Sequence, residues 1–200
     1  MTSPAPPSSC VFCQIVHSVG ARTSSLALTS LEPDVYVFLA TRSHIAILDH
    51  QPLVSSLSHI LLIPRTHAVR LSDVPDYELP DLGPILKLLG RAICDCFAVD
   101  DYNVVQNNGP AAGQLVPHVH FHIVARPSTY LAAAAAPAPS GSVTAAAAAP
   151  ATLRDRTRYS STIFARGERT DLDPSCAEQS SKILRQYLDE HLPLWLRPKL

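Results

Sequence analysis

Neither sign of charge dominates this 200-residue chain: 16 lysines and arginines face 17 aspartates and glutamates, for a net charge of −1. Without a basic footprint there is no electrostatic case for binding nucleic acid or an anionic membrane surface. The opening "MTSPAPPSSC" has neither the basic start nor the apolar run of a secretion signal, and no segment is long enough to span a bilayer. The five cysteines are therefore expected as reduced thiols in the cytoplasm or nucleus. The 46% hydrophobic content overstates the core, because ten of those residues lie in two five-alanine runs. What remains still suffices for one buried core. Small anionic ligands stay open, since backbone N–H groups and a few side chains can hold them.

Composition divides the chain into four parts. Residues 1–9 are Pro/Ser-rich and read as disordered, and 10–127 read as a domain. Residues 128–152 form an Ala/Pro-rich flexible segment, and 153–200 a C-terminal extension with a helix. Alanine runs this short, bounded by proline, glycine and serine, do not hold a helix.

Within the domain, "CVFCQIVHSV" predicts a short helix. "VYVFLATRSHIAILD" is two apolar runs split by Thr41-Arg42-Ser43, which reads as a β-hairpin. "HILLIPR" predicts a strand buried on both faces and stopped by Pro64. Leu82, Ile85, Leu86, Leu88, Leu89, Ile93 and Phe97 recur at helical spacing. They place the principal helix from about Asp81, with Pro80 and Pro84 before it or in its first turns. "YNVVQ" and "HVHFHIVAR" supply two more strands, joined by the loop "NNGPAAGQLVP". Farther on, Pro174 marks a helix start, with Ile183, Leu184, Tyr187 and Leu188 on one side. The fold class is α+β: a mainly antiparallel five-stranded sheet packed on a principal helix.

His118, His120 and His122 sit at strictly alternating positions in "PHVHFHIVAR". A strand sends them to one face and Val119, Phe121 and Ile123 to the other. The apolar face can dock on the helix while the imidazoles line a cleft. Three histidines spanning about 13 Å of strand cannot all reach one ion, so a tri-histidine metal site is a poor explanation. Cys10 and Cys13 are ambiguous by themselves, fitting either two buried thiols on a short helix or half of a metal site. Cys94, Cys96 and Cys176 read as packing residues or incidental surface thiols.

Taken in order, "CVFCQI", "AILDHQP", "HILLIPRTH", "NNGPAAGQ" and "HVHFHIV" resemble the histidine triad (HIT) superfamily of nucleotidyl hydrolases and transferases. The resemblance covers about Cys10 to Pro127 and implies the HIT fold. It implies that His120, the middle histidine, attacks the α-phosphate of a nucleotide to give a covalent nucleotidyl-histidine that water then hydrolyses. A neutral imidazole is a competent nucleophile near neutral pH, and the covalent intermediate divides one hard displacement into two. His122 would hydrogen-bond the phosphate region, and Asn107 matches a polar residue near the leaving group. Gly113, Gln114 and Val116 would offer backbone N–H groups to phosphate. Asp49 matches the carboxylate that accepts from the ribose hydroxyls, with Ile47 and Leu48 walling the base pocket. Leu115 departs from the family, which usually has serine or threonine there, so a side-chain donor is lost.

Some HIT proteins bind structural zinc at positions matching Cys10, Cys13, His67 and His118, so the resemblance implies Zn2+ there. His59 is the weaker ligand candidate and equally a core or cleft residue. His17, His44, His50 and His191 read as surface or hairpin histidines. The resemblance also implies a homodimer. The leading expectation is a nucleoside phosphoramidase of the Hint type releasing AMP. A dinucleoside polyphosphate hydrolase of the Fhit type is the alternative within the enzymes, and a non-catalytic nucleotide-binding scaffold the alternative outside them. In the C-terminal part, Arg166 and Arg169 default to solvated charges, although they could approach an anionic ligand. The tail around Trp195 is expected to pack on its own subunit.

Overall fold

The computed structural model describes residues 9–20, 35–54, 56–126 and 168–197. The alanine-rich segment and Arg166 lie outside the described residues. Within the described residues five strands run β1 Val37–Ala40, β2 His44–Leu48, β3 His59–Pro64, β4 Asp101–Gln106 and β5 Phe121–Arg126. They form one sheet in the order β1-β2-β3-β5-β4, with every neighbouring pair antiparallel. Among the described residues three helices accompany it: α1 Val11–Val19, α2 Leu79–Phe97 and α3 Pro174–His191.

Alternation along the strands splits the sheet into two working faces. On one, Phe38, Ala46, Leu48, Ile60 and Ile123 pack with residues of α2 and α3. On the other, Val37, Ile45, Ile47, Leu61 and Ile63 pack with α1. The central strands are therefore buried on both sides, as the unbroken apolar run of β3 predicts.

The principal helix starts two residues earlier than expected, at Leu79. Pro80 lies in the first turn, where its missing N–H costs nothing, but Pro84 lies inside and forfeits the bond to the Pro80 carbonyl. Tertiary contacts hold the turn nonetheless. Ile85, Leu89, Ala92 and Ile93 are buried against the sheet, and Asp81 is buried at the helix start. The Asp81 carboxylate takes a two-pronged bond from Arg42, 3.0 Å on each oxygen, and another from Ser43 Oγ at 2.6 Å. That network fastens α2 to the β1–β2 turn. His44 belongs to the same corner: of the two expected places, surface or hairpin, it takes the hairpin, and it is buried there with Nδ1 2.9 Å from Ser43 Oγ. Burial pushes its pKa down to about 4.

The histidine strand is shorter than the sequence suggests, because the ladder begins at Phe121 and not at His118. The β3–β5 ladder stops at Leu62 opposite Phe121, although Ile63 and Pro64 of β3 continue past that pair. Val119 N–H instead donates to the Ala68 carbonyl at 2.7 Å, in the loop beyond β3. The alternation survives outside the ladder: Val119, Phe121 and Ile123 all enter the helix-side core.

α3 is started by Asp173, whose side chain accepts from Cys176 N–H at 2.9 Å, with Pro174 in the first turn. Its buried stripe is Ala177, Ser181, Leu184 and Leu188. Ile183 is 38% exposed, contrary to its expected place on that side, because it sits one residue and about 100° of helix from Leu184. Leu184, Leu188 and the following Leu196 share one core with α2 and the sheet, so the tail packs on its own subunit while Trp195 is exposed.

Candidate active site

All the expected chemistry converges on the α1 side of the sheet. Alternation puts Asp49 on the face of Ile45 and Ile47, and His59 on the face of Leu61 and Ile63. Asp49 N–H donates to the His59 carbonyl at 2.9 Å, which extends the β2–β3 pairing by one residue. In the β3–β5 register His59 opposes Val124 and Leu61 opposes His122, so His59 and His122 are diagonal neighbours. Their rings meet with His59 Nε2 2.9 Å from His122 Nδ1. The His120 ring centroid lies 5.0 Å from that of His122 and 5.1 Å from that of Phe12 in α1, edge-on to both.

Hydrogen-bond partners fix where each proton sits. Leu53 N–H donates to His59 Nδ1 at 3.3 Å, so a neutral His59 carries its proton on Nε2. The nearer acceptor of that N–H is His122 Nδ1 at 2.9 Å, with Asp49 Oδ2 at 3.3 Å, and donation to His122 leaves the His122 proton on Nε2. The His118 carbonyl can only accept, so His120 Nδ1, 2.7 Å away, carries the hydrogen. The lone pair of His120 is therefore on Nε2. By the same logic His118 Nε2 donates to the Pro64 carbonyl at 3.0 Å, which frees its Nδ1 as a ligand atom.

Burial keeps these rings neutral. It is the leading cause that lowers the pKa of His59 and His118 to about 4, of His122 to about 2, and of His120 below its ordinary value. A neutral His120 retains the lone pair that nucleophilic attack requires.

The loop before the triad is built differently from its expected use. Gln114 is buried, and its side chain accepts from Gly109 N–H at 2.7 Å and donates to the carbonyls of Val69 and Val116 at 2.8 and 3.0 Å. The amides of Gly113 and Gln114 are spent on Pro110 and Gly109 carbonyls, at 2.9 and 3.1 Å. Within residues 113–116 that leaves the amides of Leu115 and Val116 without such a loop bond among those described. Gly113 adopts φ +86, a left-handed turn that favours glycine. The Leu115 side chain is 92% exposed, so it lies at the surface and takes no part in the core. Asn107 follows β4 at the loop's entrance and is half-buried. Leu48 corrects one expectation. It packs in the α2–α3 core, so of the two pocket-wall candidates only Ile47 faces the site.

The other expected cluster also assembles. Ligand atoms of Cys10, Cys13, His67 and His118 all lie within 4.8 Å of one another. His118 Nδ1 is 3.5 Å from both sulfurs, and His67 Nδ1 is 3.2 Å from Cys13 Sγ. Tetrahedral zinc with ordinary bond lengths sets sulfur–nitrogen edges of about 3.5 Å, so this donor set fits the metal. Burial, followed by hydrogen bonding and charge from Cys10, pushes the Cys13 thiol up to about 12, a penalty that metal coordination removes by displacing the proton. Asp49, His59 and His122 also lie within 4.8 Å of one another. That group is already joined by the His59–His122 hydrogen bond and carries a cation, Arg169, on its carboxylate.

Three residues here were missed or left undecided by sequence reasoning. Phe12 lies between the two zinc-type cysteines and packs on His120. His59 gives His122 its proton arrangement. Arg169 is not a solvated charge: its Nη1 is 2.9 Å from Asp49 Oδ2. The signal for His59 was its parity with Leu61 and Ile63; Arg169, far along the chain, had none.

Comparison with known proteins agrees with this geometry. The HIT domain model matches residues 30–129. The adenosine 5'-monophosphoramidase HNT1 of Saccharomyces cerevisiae is 37% identical over 127 residues, covering 63% of this chain and 68% of that protein. The corresponding hnt1 of Schizosaccharomyces pombe is 37% identical over 120 residues, covering 60% and 76%. In fold, the chain is similar to a Zn-bound histidine triad family protein from Mycobacterium smegmatis, with a TM-score of 0.56 at 24% identity over 91% of this chain and 94% of that one. The chain belongs to the histidine triad (HIT) family.

Proposed function

We propose that the protein is a nucleotide hydrolase of the phosphoramidase kind, releasing AMP from an adenosine phosphoramidate through a covalent intermediate on His120. The observation that carries this is the His120–His118 carbonyl bond, which leaves Nε2 as the free nucleophilic nitrogen. In the first step Nε2 forms a bond to the α-phosphorus, the phosphorus–nitrogen bond of the substrate breaks, and the amine departs with a proton drawn from solvent, which the attacking water of the second step returns. In the second step water attacks the nucleotidyl-histidine, restoring His120 and releasing AMP. His122 holds an N–H toward the phosphate region by virtue of its tautomer, and Asp49 accepts from the ribose hydroxyls. Leu115 and Val116 supply backbone N–H groups. The names of the two yeast relatives support the substrate class.

Cys10, Cys13, His67 and His118 would hold a structural zinc, which closes all four positions with protein ligands and so takes no part in the reaction. Its effect is to fasten α1, and with it Phe12, beside His120. Thiolate ligation requires reduced cysteines, which suits the cytoplasm or nucleus. A homodimer through β4 is also part of this reading: β4 is an edge strand with Tyr102 and Val104 exposed. Among the described residues no helix is long and apolar enough to cross a membrane.

The test is a side-by-side turnover assay with adenosine 5'-phosphoramidate and diadenosine triphosphate. The proposal expects the phosphoramidate to have the higher kcat/KM. The opposite order assigns the chain to dinucleoside polyphosphates, and no turnover of either leaves a binding protein.

A further inference from the structure

Arg169 reaches the site from a segment outside the matched HIT region, and its position is built rather than incidental. Residues 168–172 lie against residues 50–54. Val54 N–H donates to the Glu168 carbonyl at 3.0 Å, Thr170 N–H to Pro52 at 3.3 Å and Leu172 N–H to His50 at 3.0 Å. Leu53 and Arg169 form an antiparallel bridge, and Gln51 Nε2 donates to Asp171 Oδ1 at 3.0 Å. Leu53, inside this ribbon, is buried against Val124. The backbone of Arg169 is thereby fixed, and its guanidinium donates to Asp49 Oδ2 at 2.9 Å and to the Gln51 carbonyl.

Asp49 is 7% exposed, and a carboxylate so buried needs a counter-charge. The adjacent imidazoles do not supply one, since burial keeps His59 and His122 neutral. Arg169 does. The other oxygen, Oδ1, accepts from Gln51 N–H at 3.0 Å. Arg169 on Oδ2 and Gln51 N–H on Oδ1 fix the plane of the carboxylate; His59 Nε2 also stands 3.3 Å from Oδ2, and Oδ1 keeps a lone pair for a ribose hydroxyl.

We propose that Arg169 is a positioning residue that holds the Asp49 carboxylate correctly turned for the ribose, so that the C-terminal segment sets the affinity of the nucleotide site. This rests on the proposed nucleotide function. It predicts a defect confined to recognition of the sugar hydroxyls.

The experiment measures binding of AMP and of 2',3'-dideoxy-AMP to the full chain by calorimetry, with thermal unfolding without nucleotide as a check on folding. Wild type is expected to prefer AMP. Arg169→Gln is expected to weaken AMP binding about tenfold, the order of a charge-assisted hydrogen bond, while leaving the dideoxy compound unchanged. Arg169→Lys is expected to recover part of the preference, because it keeps the charge without the planar fork. Arg169→Gln with the wild-type preference, or with tighter AMP binding, overturns the proposal. So does a folded Arg169→Lys that discriminates no better than Arg169→Gln. Should wild type itself fail to distinguish the two nucleotides, the ribose role of Asp49 fails and Arg169's role falls with it, an outcome distinct from the others.

Discussion

His59 Nε2 lies 2.9 Å from His122 Nδ1, and Leu53 N–H on the far side of the His59 ring decides which of the two carries the proton. One backbone amide thus sets a tautomer two side chains away, inside the site. Removing the middle member releases His122 to take either tautomer. His59→Ala is expected to lower kcat for adenosine 5'-phosphoramidate about tenfold or more, on the scale of a lost acid–base positioning contact. His59→Gln, which retains an N–H donor, should recover part of the loss. Steady-state kinetics checks this, and a wild-type kcat in His59→Ala contradicts it.

Metal content gives an independent check. Protein purified without chelator should carry about one zinc per chain, as a closed four-ligand site does. Chelation should lower the melting temperature, and Cys13→Ser should reproduce both the zinc loss and the destabilisation. Activity should fall as well, since α1 brings Phe12 against the His120 ring. Elemental analysis showing no zinc, or identical melting with and without chelator, contradicts the assignment.

Acid should destabilise the fold before the carboxylates titrate. Buried His44 and His59 have folded-state pKa values near 4, below the ordinary 6.5 that they regain on unfolding. Between those values the unfolded chain binds more protons, so stability present above about 6.5 is lost as pH falls toward about 4. Each histidine contributes a slope of up to about 1.4 kcal/mol per pH unit in that window. Urea unfolding at about pH 7 and about pH 5 measures it, and His44→Asn should flatten the dependence. Equal stability at both pH values contradicts it.

The C-terminal helix is part of the main core, so damage to it should be global. Leu184 is fully buried among α2 and sheet residues. Leu184→Ala should cost about 2–5 kcal/mol in one cooperative transition. A separate early transition, with the sheet unaffected, would show that α3 folds apart from the domain.

Much of this was legible in residue order because strands alternate and helices repeat. The parity of His118, His120 and His122 against Val119, Phe121 and Ile123 put the triad opposite the α2 core even where the ladder had not begun. The same parity separates Leu48 from Asp49: adjacent residues of an extended strand face opposite ways, so Leu48 enters the helix-side core. The hairpin place of His44 is legible, but its burial is not, because nothing near it in the chain signals the Asp81 carboxylate that α2 brings to the adjacent Ser43. Gln114 was read as a phosphate neighbour because its loop bonds, to Gly109 and Val69, depend on a fold that spacing does not reveal. Arg169 lies 120 residues from Asp49, and only the pairing of residues 168–172 with 50–54 brings them together.

The central claim is that His120 becomes covalently nucleotidylated. Rapid quenching of wild-type protein with adenosine 5'-phosphoramidate, followed by peptide mass spectrometry, tests it most directly. The account predicts an AMP adduct on His120 that decays as AMP appears, with neither adduct nor AMP release in folded His120→Ala. AMP release by His120→Ala at the wild-type rate, or an adduct on another residue, would contradict it.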